Sequence, residues 1–284
     1  MAQSYEVLAH NLSAQSENKI HDDTVARRFG FTGALVPGVE VYAYACHPAV
    51  RRWGRAWLEH GTAECRFQSP VYDGDRVLVE AAEAGDGLAL TVRRGETLCA
   101  TGHAALPAAA PVPDPAAWSW RAPPANRPPA SKEALAPGMV LGTAPLEVTP
   151  QLAADYLAAV READPIYARE GLAHPGQVLR LCNQVLVQNV VLGPWIHVGS
   201  RVRMLAAARV GGILTARARV AENAERKGHR FVELDVLVVD GEGRRWRRSG
   251  TRRSGSRGRW RGNDGTIHKA GKAWMQAVAT LRGH

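Results

Sequence analysis

The chain has few of the features that settle a protein's class at a glance. Its four cysteines (Cys46, Cys65, Cys99 and Cys182) are scattered through 284 residues without a Cys-x-x-Cys pair. That spacing excludes a disulfide-stapled scaffold and a thiolate zinc site, and leaves reduced, buried thiols as the expectation. No apolar run approaches the roughly 20 residues a membrane helix requires. The opening MAQSYEVLAHNL lacks a basic stretch followed by an apolar one, so no secretory signal is expected and a cytoplasmic location is. There is no His-Glu-x-x-His, no clustered ligand spacing among the ten histidines, no P-loop, and no Gly-x-Gly-x-x-Gly after a strand. A resident metal and a bound nucleotide cofactor are therefore not expected.

What is present is a globular composition, 45% hydrophobic and 22% charged, in a chain long enough for two ordinary domains. The net charge of +9 suggests a nucleic-acid partner until its location is read. Nine arginines and no acidic residue lie between Arg244 and Gly262, so the remainder of the chain is near neutral. Residues 244–284 read as a basic tail, with three explanations open: a solvated, disordered segment, a stretch translated out of frame, or an arm that binds phosphates. A nucleic-acid partner rests on this tail alone and is not expected for the folded body.

Residues 107–137 hold nine of the 17 prolines, interleaved with alanine, and predict a semi-rigid linker pinned by Trp118 and Trp120. The flanking segments, 1–106 and 138–243, look alike. Gly33-Ala-Leu-Val-Pro37-Gly38-Val39 in the first has a counterpart in Gly171-Leu-Ala-His-Pro175-Gly176-Gln177 in the second. Each Pro-Gly opens a mostly apolar run suited to a buried helix. Strand signals follow at Thr62–Ser69, Arg76–Ala84, Leu88–Arg93 and Thr97–Leu106, then at Ser200–Ala207, Ile213–Val220 and Phe231–Val239. A long helix followed by an antiparallel sheet, twice over, is an α+β arrangement in which the sheet wraps the helix.

The stretch Ser16–Gly38 carries the candidate chemistry. Asn18 and His21 sit on a short loop among carboxylates, and the Pro37-Gly38 helix entry follows closely. A side chain that titrates near neutrality beside a fresh helix N-terminus can activate water next to a polarised carbonyl.

The order Asn18-x-Ile20-His21, Ala26, Gly30-Phe31, Pro37-Gly38, and later Ser69-Pro70-Val71-Tyr72-x-Gly74-Asp75, resembles the MaoC-like dehydratases, which include the R-specific enoyl-CoA hydratases. The resemblance covers most of residues 8–240. It implies two tandem hot-dog domains, a lyase that adds water to a 2-enoyl-CoA or removes it, and coenzyme A as part of the substrate. It further implies His21 as general base, Asn18 as the orienting amide, and Pro37, Gly38 and Val39 at the thioester oxygen. The family's aspartate falls on Ser16, so the acid has to be sought nearby, with Glu17 the neighbouring candidate. Two further readings stay open, an acyl-thioester-binding protein without catalysis and an acyl-CoA thioesterase. A homodimer is a possible assembly, although two halves in one chain already imitate a dimer of single domains.

Other polar groups have plainer expectations. Asp22-Asp23-Thr24 predicts a helix cap, Asp164-Pro165 a turn or cap, and His174 a core or capping histidine. In the second half Tyr167 stands where the family pattern has histidine. His197 is expected beside the start of a strand, packed and partly exposed. Arg27-Arg28 and Arg51-Arg52-x-x-Arg55 could meet phosphates of coenzyme A but match solvated helix faces.

Overall fold

The computed structural model describes residues 3–108, 113–226, 229–241, 245–250 and 273–277. The first half runs β1 (Gln3–Leu8), α1 (Asp23–Arg28), α2 (Gly38–His60), β2 (Thr62–Phe67), β3 (Arg76–Ala84), β4 (Gly87–Arg94) and β5 (Thr97–Ala105). Helix α1 starts where Asp22 accepts the Val25 N–H at 3.0 Å, the expected cap. Helix α2 is apolar on nearly every face from Val39 to Val50 and is buried accordingly. It breaks at Gly54, whose φ of +55° is a left-handed conformation that side chains other than glycine disfavour. The strands pair antiparallel in the order β1-β3-β4-β5-β2. Leu88, Leu90 and Val92 point inward as the alternation predicted, and join Val77 and Val79 in the core around α2.

The second half repeats the plan with additions. Two short strands, β6 (Val140–Leu141) and β7 (Leu146–Glu147), precede α3 (Pro150–Ala159) and α4 (Ile166–Glu170), neither of which the sequence pattern announced. Then come the central helix α5 (Pro175–Asn189) and the strands β8 (Trp195–Met204), β9 (Ile213–Arg226) and β10 (His229–Asp240). The halves fuse through an antiparallel β2–β8 pair, from Thr62 opposite Arg203 to Arg66 opposite Gly199. Helix α2 packs on α5, so one core cluster crosses the boundary. This is the double arrangement expected, a sheet wrapped around two central helices. All four cysteines are free and buried.

The proline-rich linker is fastened to the outer face of the second half. Trp118 is buried against Leu237 and Val239, and the Arg217 guanidinium donates to the carbonyls of Pro115 and Trp118. Trp120 remains largely exposed, held by an indole N–H to the Thr143 carbonyl at 3.3 Å. Strand β10 is buried on both faces, where its alternation had implied only one: Leu237 and Val239 lie under Trp118, and Phe231 lies against Val198.

After Asp240 two further segments pair with the sheet, which the composition of the tail did not announce. Strands β11 (Arg245–Gly250) and β12 (Ala273–Ala277) both pair with β8 and β10, filling the gap between them from opposite ends. Sheet pairing uses main-chain N–H and C=O groups, so a segment without an alternating apolar face can still complete a ladder. The other residues of 244–284, and with them the three readings of the tail, lie outside the described residues.

Candidate functional site

His21 is buried in a 3-10 turn (Lys19–His21) whose cap is Asn18. Its Nδ1 lies 2.7 Å from the Leu35 carbonyl, which can only accept, so Nδ1 carries the proton and Nε2 the lone pair. The Asn18 amide nitrogen stands 3.2 Å from Nε2 and donates to it. Asn18 is held in turn by strand β8: its Nδ2 donates to the Trp195 carbonyl at 2.8 Å, and its Oδ1 accepts the Trp195 N–H at 3.2 Å. Burial pushes the His21 imidazole down to about 4, outweighing the Leu35 hydrogen bond that favours the charged form, and the Arg180 charge acts in the same downward direction. His21 is therefore a neutral imidazole at physiological pH, in a fixed tautomer.

The two helix entries differ in a way the shared Pro-Gly hid. No side chain caps α2 after Pro37, and the first-turn N–H groups of Gly38 and Val39 have no partner among the described residues. At α5 the His174 Nδ1 accepts the Gly176 N–H at 3.0 Å, and Tyr156 closes over the same glycine. One helix N-terminus is open and the other is plugged. Gly38 is also a close-approach position: a Cβ there would stand 2.8 Å from the Phe67 ring.

His21 faces a cleft of about 300 Å³ shared by both halves, lined also by Ser16, Asn18, Pro37, Val39, Arg180 and Asn183. A smaller cavity of about 30 Å³, bounded by His21, Pro37, Gly38 and His197, lies between it and an apolar pocket of about 180 Å³ lined by Val41, Phe67, Val71 and Ile196. A chamber lined mostly by polar side chains and one lined mostly by apolar side chains thus meet at the open helix entry. Pro37, Gly38 and Val39 are brought to this junction, as are His21 and Asn18.

The expected acid is not found in working form. Ser16 donates its hydroxyl to the Asn18 carbonyl at 3.3 Å and has no proton to give at neutral pH. Glu17 lines the rim but turns outward, bound to Arg127 at 2.8 and 3.2 Å, and that pairing holds its carboxyl below the usual range.

Sequence reasoning passed over two residues of the cleft and a third behind it. Arg180 and Asn183 lie one turn apart on α5, and Glu40, fully buried in the first turn of α2, pairs with the Arg180 guanidinium. The signal was available: an arginine and an asparagine three apart inside the apolar run QVLRLCNQVLV, and a lone glutamate in VEVYAYA, need a reason to be there.

Elsewhere the plainer expectations hold or are corrected. Asp164 accepts the Ile166 N–H at 3.0 Å as a turn cap, and Tyr167 is buried in the core. Arg27 pairs with Asp23, Arg51 with Asp164, Arg52 with Glu83, and Arg55 with Glu59 and Glu170, on the solvated helix faces expected. His197 is buried within β8 and not exposed, because the strand begins at Trp195. Its Nε2 lies 2.8 Å from the Ser200 hydroxyl, and burial pushes the ring down to about 3.

A scan of the sequence against protein-family models and a search of curated proteins return no match. Solved structures do match in shape. A conserved hypothetical protein from Mycobacterium tuberculosis described as having a double hot-dog fold is 17% identical, at TM-score 0.58, over 87% of this chain and 95% of that one. A MaoC-like dehydratase is 13% identical at TM-score 0.52, over 87% and 96%. The dehydratase domain of a mycocerosic acid synthase-like PKS is 15% identical at TM-score 0.50, over 87% and 89%. Among the described residues no helix is long and apolar enough to cross a membrane. The strand order, the two central helices and these matches agree: the chain has the double hot-dog fold.

Proposed function

We propose that this protein acts on an acyl-CoA thioester, adding water to a 2-enoyl chain or removing it from a 3-hydroxyacyl chain. The observation that carries this reading is the juxtaposition of His21, its tautomer set by Leu35, with the uncapped N–H groups of Gly38 and Val39. The thioester carbonyl accepts from these amides, which stabilise the negative charge that develops on its oxygen as hydroxide adds at C3. The attacking water takes the place of the Asn18 N–H at the single Nε2 lone pair, gives its proton to Nε2, and is oriented by the released amide. With Ser16 in place of an acid, the imidazolium so formed returns that proton to C2, which balances the addition with one group. An imidazole pushed down to about 4 is a weak base but a ready donor.

Loss of enoyl absorbance with crotonyl-CoA tests the reading. Turnover that His21→Ala abolishes, with thioester affinity retained, supports it. A second reading, a thioester-binding protein without catalysis, is favoured by the missing acid; binding without turnover at any chain length selects it. Release of free thiol selects a thioesterase.

A further inference from the structure

The reading above assigns no partner to the charged and amide groups that α5 directs into the His21 cleft. Arg180 is 29% exposed at its side chain, and among the described residues Glu40 is its only hydrogen-bond partner, through one of five guanidinium N–H groups. Asn183, one turn further along and 92% buried, makes no side-chain hydrogen bond among the described residues although it lines both this cleft and the narrow cavity beside it. Its amide is thus available to a ligand that enters the cleft. Glu40 is completely buried behind Arg180, so it holds the guanidinium in place without competing for the face that meets the cleft. The other acidic group at the rim, Glu17, is occupied by Arg127.

Resting on the proposed thioester chemistry, we propose that Arg180 and Asn183 bind a carboxylate borne by the acyl group, so that the substrates are thioesters of unsaturated dicarboxylic acids. Two other uses of Arg180 fit the geometry less well. The phosphates of coenzyme A are separated from the thioester by the whole pantetheine arm, and cannot lie in the cleft that also holds the reacting carbons at His21. The thioester oxygen already has the amides of Gly38 and Val39. A guanidinium fork beside a free amide matches the planar, two-oxygen geometry of a carboxylate. Arg180 is then a specificity residue and Glu40 a positioning residue.

Calorimetric titration of the full chain with succinyl-CoA and butyryl-CoA, equal in carbon count and differing in the terminal carboxylate, is the test. The expected result is succinyl-CoA binding about 10- to 100-fold tighter. Arg180→Met should bring the two to parity, and Arg180→Lys should leave a reduced preference because a point charge replaces the fork. Equal affinities in the wild type overturn the inference and leave the thioester reading standing. A preference that survives in Arg180→Met, or a loss that weakens both ligands alike, also overturns it. Binding of neither ligand removes the thioester reading and this inference with it. Should Arg180→Met fail to fold, the wild-type ratio and Arg180→Lys decide between the same outcomes.

Discussion

Asn18 in the first half and Trp195 in the second exchange two hydrogen bonds, side-chain amide to backbone, at 2.8 and 3.2 Å. The loop that carries His21 is thereby riveted to β8, the strand of the other half that pairs with β2. The residue that orients the imidazole is the same residue that joins the halves, so positioning and stability are not separable at this point.

Asn18→Ala should lower both. Loss of the two buried bonds leaves the Trp195 N–H and C=O unpaired, at a cost of about 1–3 kcal/mol. Urea unfolding of the variant gives that figure. Turnover of crotonyl-CoA should fall in parallel, with the larger effect on kcat. Unchanged stability would show that the Trp195 contact does not hold the halves.

Gly38→Ala places a methyl group against the Phe67 ring, at the junction of the two chambers. Overpacking of this kind costs about 1–3 kcal/mol and should also narrow the passage to the apolar pocket. Combining it with Phe67→Leu, which removes the ring, should restore the melting temperature toward the wild-type value. Failure of the double variant to recover would place the strain elsewhere.

Buried His21 and His197 give the protein an acid-sensitive window. Their folded values, about 4 and about 3, lie below the ordinary 6.5, so between those limits the unfolded chain binds protons that the folded chain refuses. The stability they supply is complete above pH 6.5 and drains as pH falls, at a limit of about 1.4 kcal/mol per pH unit for each ring. Unfolding free energies at pH 7, 6 and 5 should decline steadily, and His197→Phe should flatten the decline. A level profile in the wild type would contradict it.

Glu162 sits at another inter-half contact. Its carboxylate accepts from His47 Nδ1 at 2.9 Å and faces His174 Nε2 at 3.8 Å. Burial works against its charge, but the two histidines prevail and hold the group well below its ordinary 4.5. The stability this supplies is present above pH 4.5 and is lost as pH falls below it. Glu162→Ala should destabilise the protein at pH 7 by about 1–3 kcal/mol, the range for leaving a buried hydrogen-bond donor without its acceptor. A loss below about 0.5 kcal/mol would mean the contact is incidental.

Much of this was legible in residues 16–38 and in the repeat. Pro37-Gly38 and Pro175-Gly176 marked both helix starts because proline fits the first turn and glycine permits close approach. The alternation at Leu88, Leu90 and Val92 named the inward face of β4. The capping of α5 by His174 was only half visible: the histidine was expected to cap or pack, but its blocking of one helix entry while the other stays open depends on Tyr156, 18 residues earlier. Helices α3 and α4 escaped notice because they are short and lack a sustained apolar face. Strand β11 escaped because its arginine-rich sequence has no alternating apolar face, and β12 because Ala270–Leu281 reads as a short amphipathic helix.

Local sequence determined what local forces control: which segments are helix or strand, where they begin, and that His21 and Asn18 share a loop before an uncapped helix. Tertiary structure decided everything that crosses the two halves. Arg180 reaches the His21 cleft from 159 positions further along the chain, Glu40 stands behind it, and Trp195 holds Asn18. No periodicity encodes such meetings, since they follow from packing α2 against α5 and from pairing β2 with β8.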